Sequence, residues 1–167
     1  MEELSTPTPS RPISPKRQKG SFLKWVILGA AGLLLLLLAG TAWMIYRMNY
    51  TPDDLDLSTR LPTSQGLYSV AYEPQPGAIA VNQIHSWTLH VETADGRPVE
   101  AAQIRVDGDM PQHGHGLPTR PQVTRYLGDG DYLVEGVKFH MPGWWVMDFE
   151  IQAGENTDTV RFNLMLK

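Results

Sequence analysis

The chain has 167 residues and no cysteine, with 18 acidic and 14 basic groups and a net charge of −4. That length holds one modest domain of about 100–200 residues plus appendages, which excludes two sizeable cores. Without thiols there are neither disulfides nor thiolate metal centres, and from Met48 onward 16 acidic residues face 8 basic ones, a net −8 that argues against a nucleic-acid partner.

Residues 1–20 hold Ser, Thr, Pro and basic groups with almost nothing apolar. Such a segment cannot bury enough surface to offset the entropy of ordering, so a disordered cytoplasmic tail is expected. Residues 21–47 are the expected transmembrane anchor. No charge interrupts the stretch between Trp25 and Tyr46, which as a helix spans about 33 Å, enough for a bilayer core. Trp25 at one end and Trp43 and Tyr46 at the other suit the two interfaces.

Arg11, Lys16, Arg17, Lys19 and Lys24 precede this run, whereas only Arg47 follows closely before Asp53, Asp54 and Asp56. The positive-inside rule then places the N-terminus in the cytoplasm and the rest outside, in the periplasm if the membrane is a bacterial inner membrane. The rival is a cleaved signal peptide, with Ala39, Gly40, Thr41 and Ala42 as small residues near a cleavage site. Its apolar core should be only about 7–15 residues long, so the retained single-pass anchor is preferred.

Residues 48–64 carry prolines and charges with no apolar period and read as a linker. Residues 65–167 change to short runs of period two, bounded by Gly, Pro, Asp and Asn, the pattern of an all-β sandwich. Strands are predicted over 67–72 and 86–92, with Trp87, Leu89 and Val91 inward; Asp95-Gly96 is read as a hairpin turn into a strand through Ala102, Ile104 and Val106. A long loop is expected over 108–121. Beyond it, Val123 and Tyr126 open a second group that turns at Gly128-Asp129-Gly130 and continues through 132–139. Tyr132 and Val134 differ in parity from Val137 and Phe139, which predicts a bulge at Glu135-Gly136. Trp145, Met147, Phe149 and Ile151 form the clearest strand, and Val160, Phe162, Leu164 and Leu166 the last. About seven strands in roughly 100 residues is the size of an immunoglobulin-like antiparallel β-sandwich, here preceded by one transmembrane helix.

Three of the five histidines fall in two segments, around Met110-Pro111-Gln112-His113-Gly114-His115 and around His140-Met141-Pro142-Gly143-Trp144. If the backbone is extended, His113 and His115 point to the same side. Imidazole is a common metal ligand, and thioether sulfur from Met110 or Met141 adds softness suited to Cu(I). A metal set of Met110, His113, His115, His140 and Met141 therefore leans toward a copper ion. The competing reading is a plain turn whose imidazoles bond backbone carbonyls and stack on Trp144 or Tyr126, with methionine as core. His90 has the outward parity of a solvated group, and His85 sits where it can cap or pack. The chain shows no nucleotide-binding glycine loop, nucleophile elbow or catalytic Cys/His arrangement, so no catalytic residue is assigned and no enzyme is expected.

The blocks Met110-Pro111-x-His113-Gly114-His115-Gly116, Gly128-x-Gly130-x-Tyr132 and Phe139-x-Met141-Pro142-Gly143-x-Trp145 resemble the YtkA-like domain family, related to FixH proteins, over about residues 80–152. The resemblance implies an immunoglobulin-like exported domain, often membrane-anchored, in a family linked to copper handling or to assembly of copper-containing respiratory oxidases. By position, Met110, His113, His115 and Met141 match the motif, and His140 stands beside Met141 as a further candidate. His-Gly-His departs from the methionine-rich pattern of copper chaperones, so Cu(I) specificity does not carry over. The expected function is a non-enzymatic inner-membrane module that binds or transfers a copper ion or assists assembly of a copper-containing respiratory complex, with a respiratory oxidase or copper-handling proteins as partners. The rival is a metal-independent structural or protein-interaction module at the outer face of the same membrane.

Overall fold

The computed structural model describes residues 19–75 and 77–167; of the expected tail over 1–20, residues 1–18 lie outside the described residues, and Lys19 and Gly20 begin a helix. The chain divides into two compact units, 1–45 and 46–167. Helix α1 spans Lys19–Asn49, and its stretch Phe22–Asn49 is long and apolar enough to cross a membrane, with no part of its apolar window buried. Leu and Ala favour the helix, and a helix alone satisfies every backbone group inside its own segment where water is absent. The Thr41 hydroxyl is absorbed in the same way, donating to Leu38 O at 2.9 Å. The helix thus has the length and composition of a single-pass membrane anchor.

The unit over 46–167 is a two-sheet antiparallel sandwich. Its strands are β1 (Arg60–Pro62), β2 (Tyr68–Gln75), β3 (Ile84–Thr93), β4 (Ala102–Met110), β5 (His115–Gly116), β6 (Gln122–Gly128), β7 (Asp131–Lys138), β8 (Gly143–Ala153) and β9 (Asn156–Leu166). One sheet has the order β1-β2-β3-β7-β6 and the other β5-β4-β8-β9, so the chain changes sheets after β3, β5 and β7. Alternation drives this arrangement: Trp87, Leu89 and Val91 from β3 meet Trp145, Met147, Phe149 and Ile151 from β8, all with no exposed surface. Tyr72 stacks on Trp87 at 4.7 Å and meets Phe162 edge-on at 4.9 Å.

The predicted bulge is present. His85 faces Val137 while Trp87 faces Val134, leaving one extra residue on β7 at Glu135-Gly136, where Gly136 has φ 84°. Val134 and Val137 are consequently both fully buried. Three readings differ from the structure. The Asp95-Gly96 turn forms, with Gly96 N–H donating to Thr93 O, and the chain folds back on the end of β3 through Thr93 N–H to Arg97 O and Val99 N–H to Val91 O. It does not continue as a β3–β4 hairpin, since β4 lies in the other sheet. The Glu92–Pro98 bridge belongs to this short pairing, after which the chain crosses to β4. The second difference is β1, a strand inside the segment read as a linker. It escaped notice because three residues pairing on an exposed edge need no apolar alternation. The third is the loop over 108–121, which contributes the end of β4 and all of β5.

Two polar anchors hold the long connections. The Tyr132 hydroxyl donates to Val99 O at 2.6 Å and accepts from Ala102 N–H at 3.1 Å, fixing the β3–β4 crossover to β7. Asp158, buried on β9, accepts N–H bonds from Gln65, Leu67 and Thr159. Burial by itself would push this carboxyl up; the Thr63 hydroxyl and those backbone donors together outweigh it and hold the carboxyl below its ordinary range.

Candidate functional site

The antiparallel β4–β8 register, with Asp109 opposite Val146, carries the segment after β4 to the start of β8. This puts the two His/Met segments at one end of the sandwich. Residues 110–114 form a tight turn in which Met110 O accepts from His113 N–H at 3.0 Å and Gly114 N–H at 2.9 Å. Gly114 sits at φ 66°, the left-handed region glycine favours. The chain then returns as β5, with His115 directly opposite Met110. The backbone between His113 and His115 is therefore curled and not extended. The turn itself brings the two rings near each other, stacked at 5.8 Å with planes 13° apart.

The second segment supplies His140. Its ring centroid lies 4.7 Å from that of His115, and both rings lie against the buried Trp145 indole, at 5.4 and 5.7 Å. Trp145 is oriented by its own hydrogen bond, Nε1–H donating to Met141 O at 3.0 Å. Gly143, at φ 122°, closes the arrangement: a Cβ there would fall 2.5 Å from the Met110 methyl. A side chain there would push the Met110 methyl aside, and the backbone conformation itself is one that glycine favours.

All five expected residues thus gather at one end, in unequal roles. His115 and His140 form the inner pair, and the Nδ1 atom of each is buried without a hydrogen-bond partner. His113 is the exposed outer ring of the stack. Met110 is almost wholly buried and belongs to the core, while Met141 is half-buried against it. Trp144 and Tyr126 do not stack on the imidazoles. Trp144 donates to Asn163 at 3.0 Å, and Tyr126 packs on Tyr132 at 5.0 Å. The aromatic wall is Trp145, whose inward parity had marked it only as core.

Two imidazoles bonding one ion through nitrogens at about 2 Å place their centroids roughly 4.5–6.5 Å apart. The His115–His140 and His113–His115 spacings both satisfy this. Among the described residues, however, no group of three or more His, Cys, Asp or Glu side chains is disposed to hold a metal ion. What gathers at this end is imidazole nitrogen and thioether sulfur, donor types that as a class suit copper better than zinc.

Beside it, on the outer face of the smaller sheet, burial pushes the Asp109 carboxyl up; Arg161 draws it down, Asp148 and Asp107 raise it further, and His115 opposes them. Arg161 is itself committed to a two-point contact with Asp148 at 2.7 and 2.8 Å. The remaining histidines lie apart. His85 is buried with Nε2 2.8 Å from Ala80 O. His90, expected as a solvated group, donates from Nδ1 to Asp131 at 2.7 Å and has Glu92 at 3.5 Å, because β7 and its own strand place carboxylates on either side. A cleft of about 630 Å³ over Ile104, Val106, Thr119 and Val123 is lined by no histidine.

The sequence model of the YtkA-like family matches residues 63–150, more than half of the chain. No curated protein matches it. Among solved structures, a DUF4426 family protein from Pseudomonas aeruginosa PAO1 is similar at 16% identity and a TM-score of 0.48, over 65% of this chain and 94% of that one. The ZirS C-terminal domain is similar at 13% identity and a TM-score of 0.36, over 98% and 86%.

Proposed function

The chain belongs to the YtkA-like family, and from that premise we propose that it is a non-enzymatic, membrane-anchored module that binds or transfers a copper ion, or assists assembly of a copper-containing respiratory complex. The observation that carries the reading is the pair of neighbouring buried Nδ1 atoms on His115 and His140, 4.7 Å apart by ring centroid and unclaimed by any protein donor or acceptor. Leaving a buried polar group unsatisfied costs about 1–3 kcal/mol. Two such groups side by side are explained by a ligand that accepts both lone pairs. Met110, opposite His115, and Met141, beside His140, are the sulfur donors within the same end of the fold.

The basic flank before α1 and the acidic stretch after it support an inner-membrane orientation with the N-terminus cytoplasmic and the sandwich periplasmic. Copper-handling proteins or a respiratory oxidase are then the partners of choice. Calorimetric titration of the full chain in detergent with Cu(I) and Cu(II) tests the site. The expected result is saturable binding that falls at least tenfold in a His115→Ala/His140→Ala variant, in the range that loss of metal-site groups produces. Equal heats from both proteins would end the copper reading.

One observation favours a second reading, in which the same end is a metal-independent protein-interaction surface: Met110 is almost wholly buried as part of the core. In that case crosslinking to a membrane partner would be indifferent to chelator and to the loss of both inner histidines.

A further inference from the structure

Strand β4 pairs with β8 without a register break from Ala102 to Asp109, and on its other side with β5 only at Asp109 and Met110. In an antiparallel strand the N–H and C=O of alternate residues point to the same side. Gly108 O accepts from Leu117 N–H, and Ala102 N–H donates to the Tyr132 hydroxyl, so both residues turn away from β8. Ile104 and Val106 share that parity. Their backbone groups therefore face outward along an edge that no strand covers, and their half-buried side chains form the rim of the core. The cleft of about 630 Å³ runs along this edge, between residues 103–107 and 119–123. The other edges are blunted, as free edges generally are. β6 is bulged twice, β1 and β5 have three and two residues, and β9 is flanked by Ser64, whose N–H donates to Thr159 O.

We propose that the β4 edge docks an extended segment of a partner protein, which adds to the smaller sheet as a further strand and carries an acidic side chain between two apolar ones. The N–H and C=O groups of Ile104 and Val106 supply the backbone pairing. Residues opposite these two lie over the core rim, which calls for apolar side chains; the residue between them stands on the outer face across from Arg105. Arg105 is held by Glu150 at 2.9 Å, and Asp107 accepts the Gly108 N–H at 2.8 Å. The exposed Arg120 side chain, on the facing wall of the cleft, has no ion pair or hydrogen bond among the described residues. A carboxylate on the incoming strand supplies its missing counter-charge. A second copy of this chain fits poorly, because each two-fold register of β4 on β4 meets an obstacle. Ile104 opposite Val106 sets Arg105 against Arg105, and like charges directly opposite repel. Ile104 opposite itself needs the Ala102 N–H, already bonded to Tyr132, and Val106 opposite itself needs Gly108 O, already bonded to Leu117. No histidine lines the cleft, so docking here does not depend on the copper reading.

The test is NMR of the isotope-labelled full chain in detergent micelles, titrated with an end-blocked heptapeptide in which valine, glutamate and valine stand between pairs of threonines. Saturable shifts centred on the Ile104 and Val106 amides, with their hydrogen exchange slowed several-fold, are expected. The same peptide methylated on the backbone nitrogens that face β4 keeps its side chains and should lose both effects. A peptide with lysine in place of glutamate should bind several-fold more weakly, and Arg120→Ala should abolish that preference. Shifts that are absent or centred on β6 or β9, or equal binding of the methylated peptide, overturn the docking site. Equal binding of the lysine peptide by the native chain, or a preference that survives Arg120→Ala, overturns the acidic partner. Shifts at Ile104 and Val106 that grow with protein concentration before any peptide is added assign the edge to a second copy and overturn the partner segment.

Discussion

The methyl group of Met110 occupies the space in which a side chain on Gly143 would begin. This contact lies where the end of β4 meets the start of β8, and together with the backbone angle it favours glycine at the end of the Met-Pro-Gly step. A Cβ would meet Met110 at 2.5 Å, and φ 122° is foreign to other L-residues.

Gly143→Ala should therefore destabilise the sandwich by about 1–3 kcal/mol and displace Met110 from the histidine end. Denaturant unfolding reads the first effect and Cu(I) affinity the second. Gly154→Ala, in the β8–β9 turn at φ 62° with open space around it, is the control and should cost about 1–2 kcal/mol with metal affinity unchanged.

Tyr132→Phe removes a hydroxyl that satisfies Val99 O and Ala102 N–H at once. A loss of about 1–3 kcal/mol in denaturant unfolding is expected, because buried backbone groups are left without partners. Retention of full stability would mean that the crossover finds other partners.

Asp158 sets part of the acid limit of the fold. Its folded-state carboxyl lies below the ordinary value of 3.8. The stability it contributes is therefore complete above that value and is lost as the pH falls through the lowered one. Asp158→Asn should be less stable at neutral pH, since an amide cannot accept the same donors as well, and should show a shallower loss of stability below about pH 4. Parallel pH curves for the two proteins would exclude this role.

The histidines should rank by position. His115→Ala, losing the central ring with its buried nitrogen, should weaken Cu(I) binding by about tenfold or more. His113→Ala, losing an exposed outer ring, should weaken it by less. Competition with a chelating dye gives both values, and equal effects would mean that the outer ring is as much a ligand as the inner.

Much of the sandwich could be read directly from alternation, because a half-buried strand writes its burial into every second residue; β3, β8 and β9 declare themselves this way, and so does the Gly136 bulge that restores parity. The strands that escaped are those that pair without burying a face, β1 and β5. At the candidate site, residue types pointed to the five candidates, but their ranking depends on tertiary register: Met110 is core because β4 runs inward to its last residue, and His115 is central because it pairs with Met110. Gln112 gave no signal, since an amide between proline and histidine acquires its partners, Tyr50 O and the Thr51 hydroxyl, only through tertiary structure, 62 and 61 residues upstream.

The tie between Asp158 and the backbone at Gln65 and Leu67 spans more than 90 residues of chain, and β9 joins its sheet by pairing with β8. Pairings of such long sequence separation form slowly, and they cannot begin until the later partner has been synthesised. The apolar helix emerges first and can be threaded into the bilayer while the sandwich still lacks its final edge. During biogenesis the nascent domain therefore waits, tethered and incomplete, and its exposed strand edges make that interval its point of greatest vulnerability to misassembly.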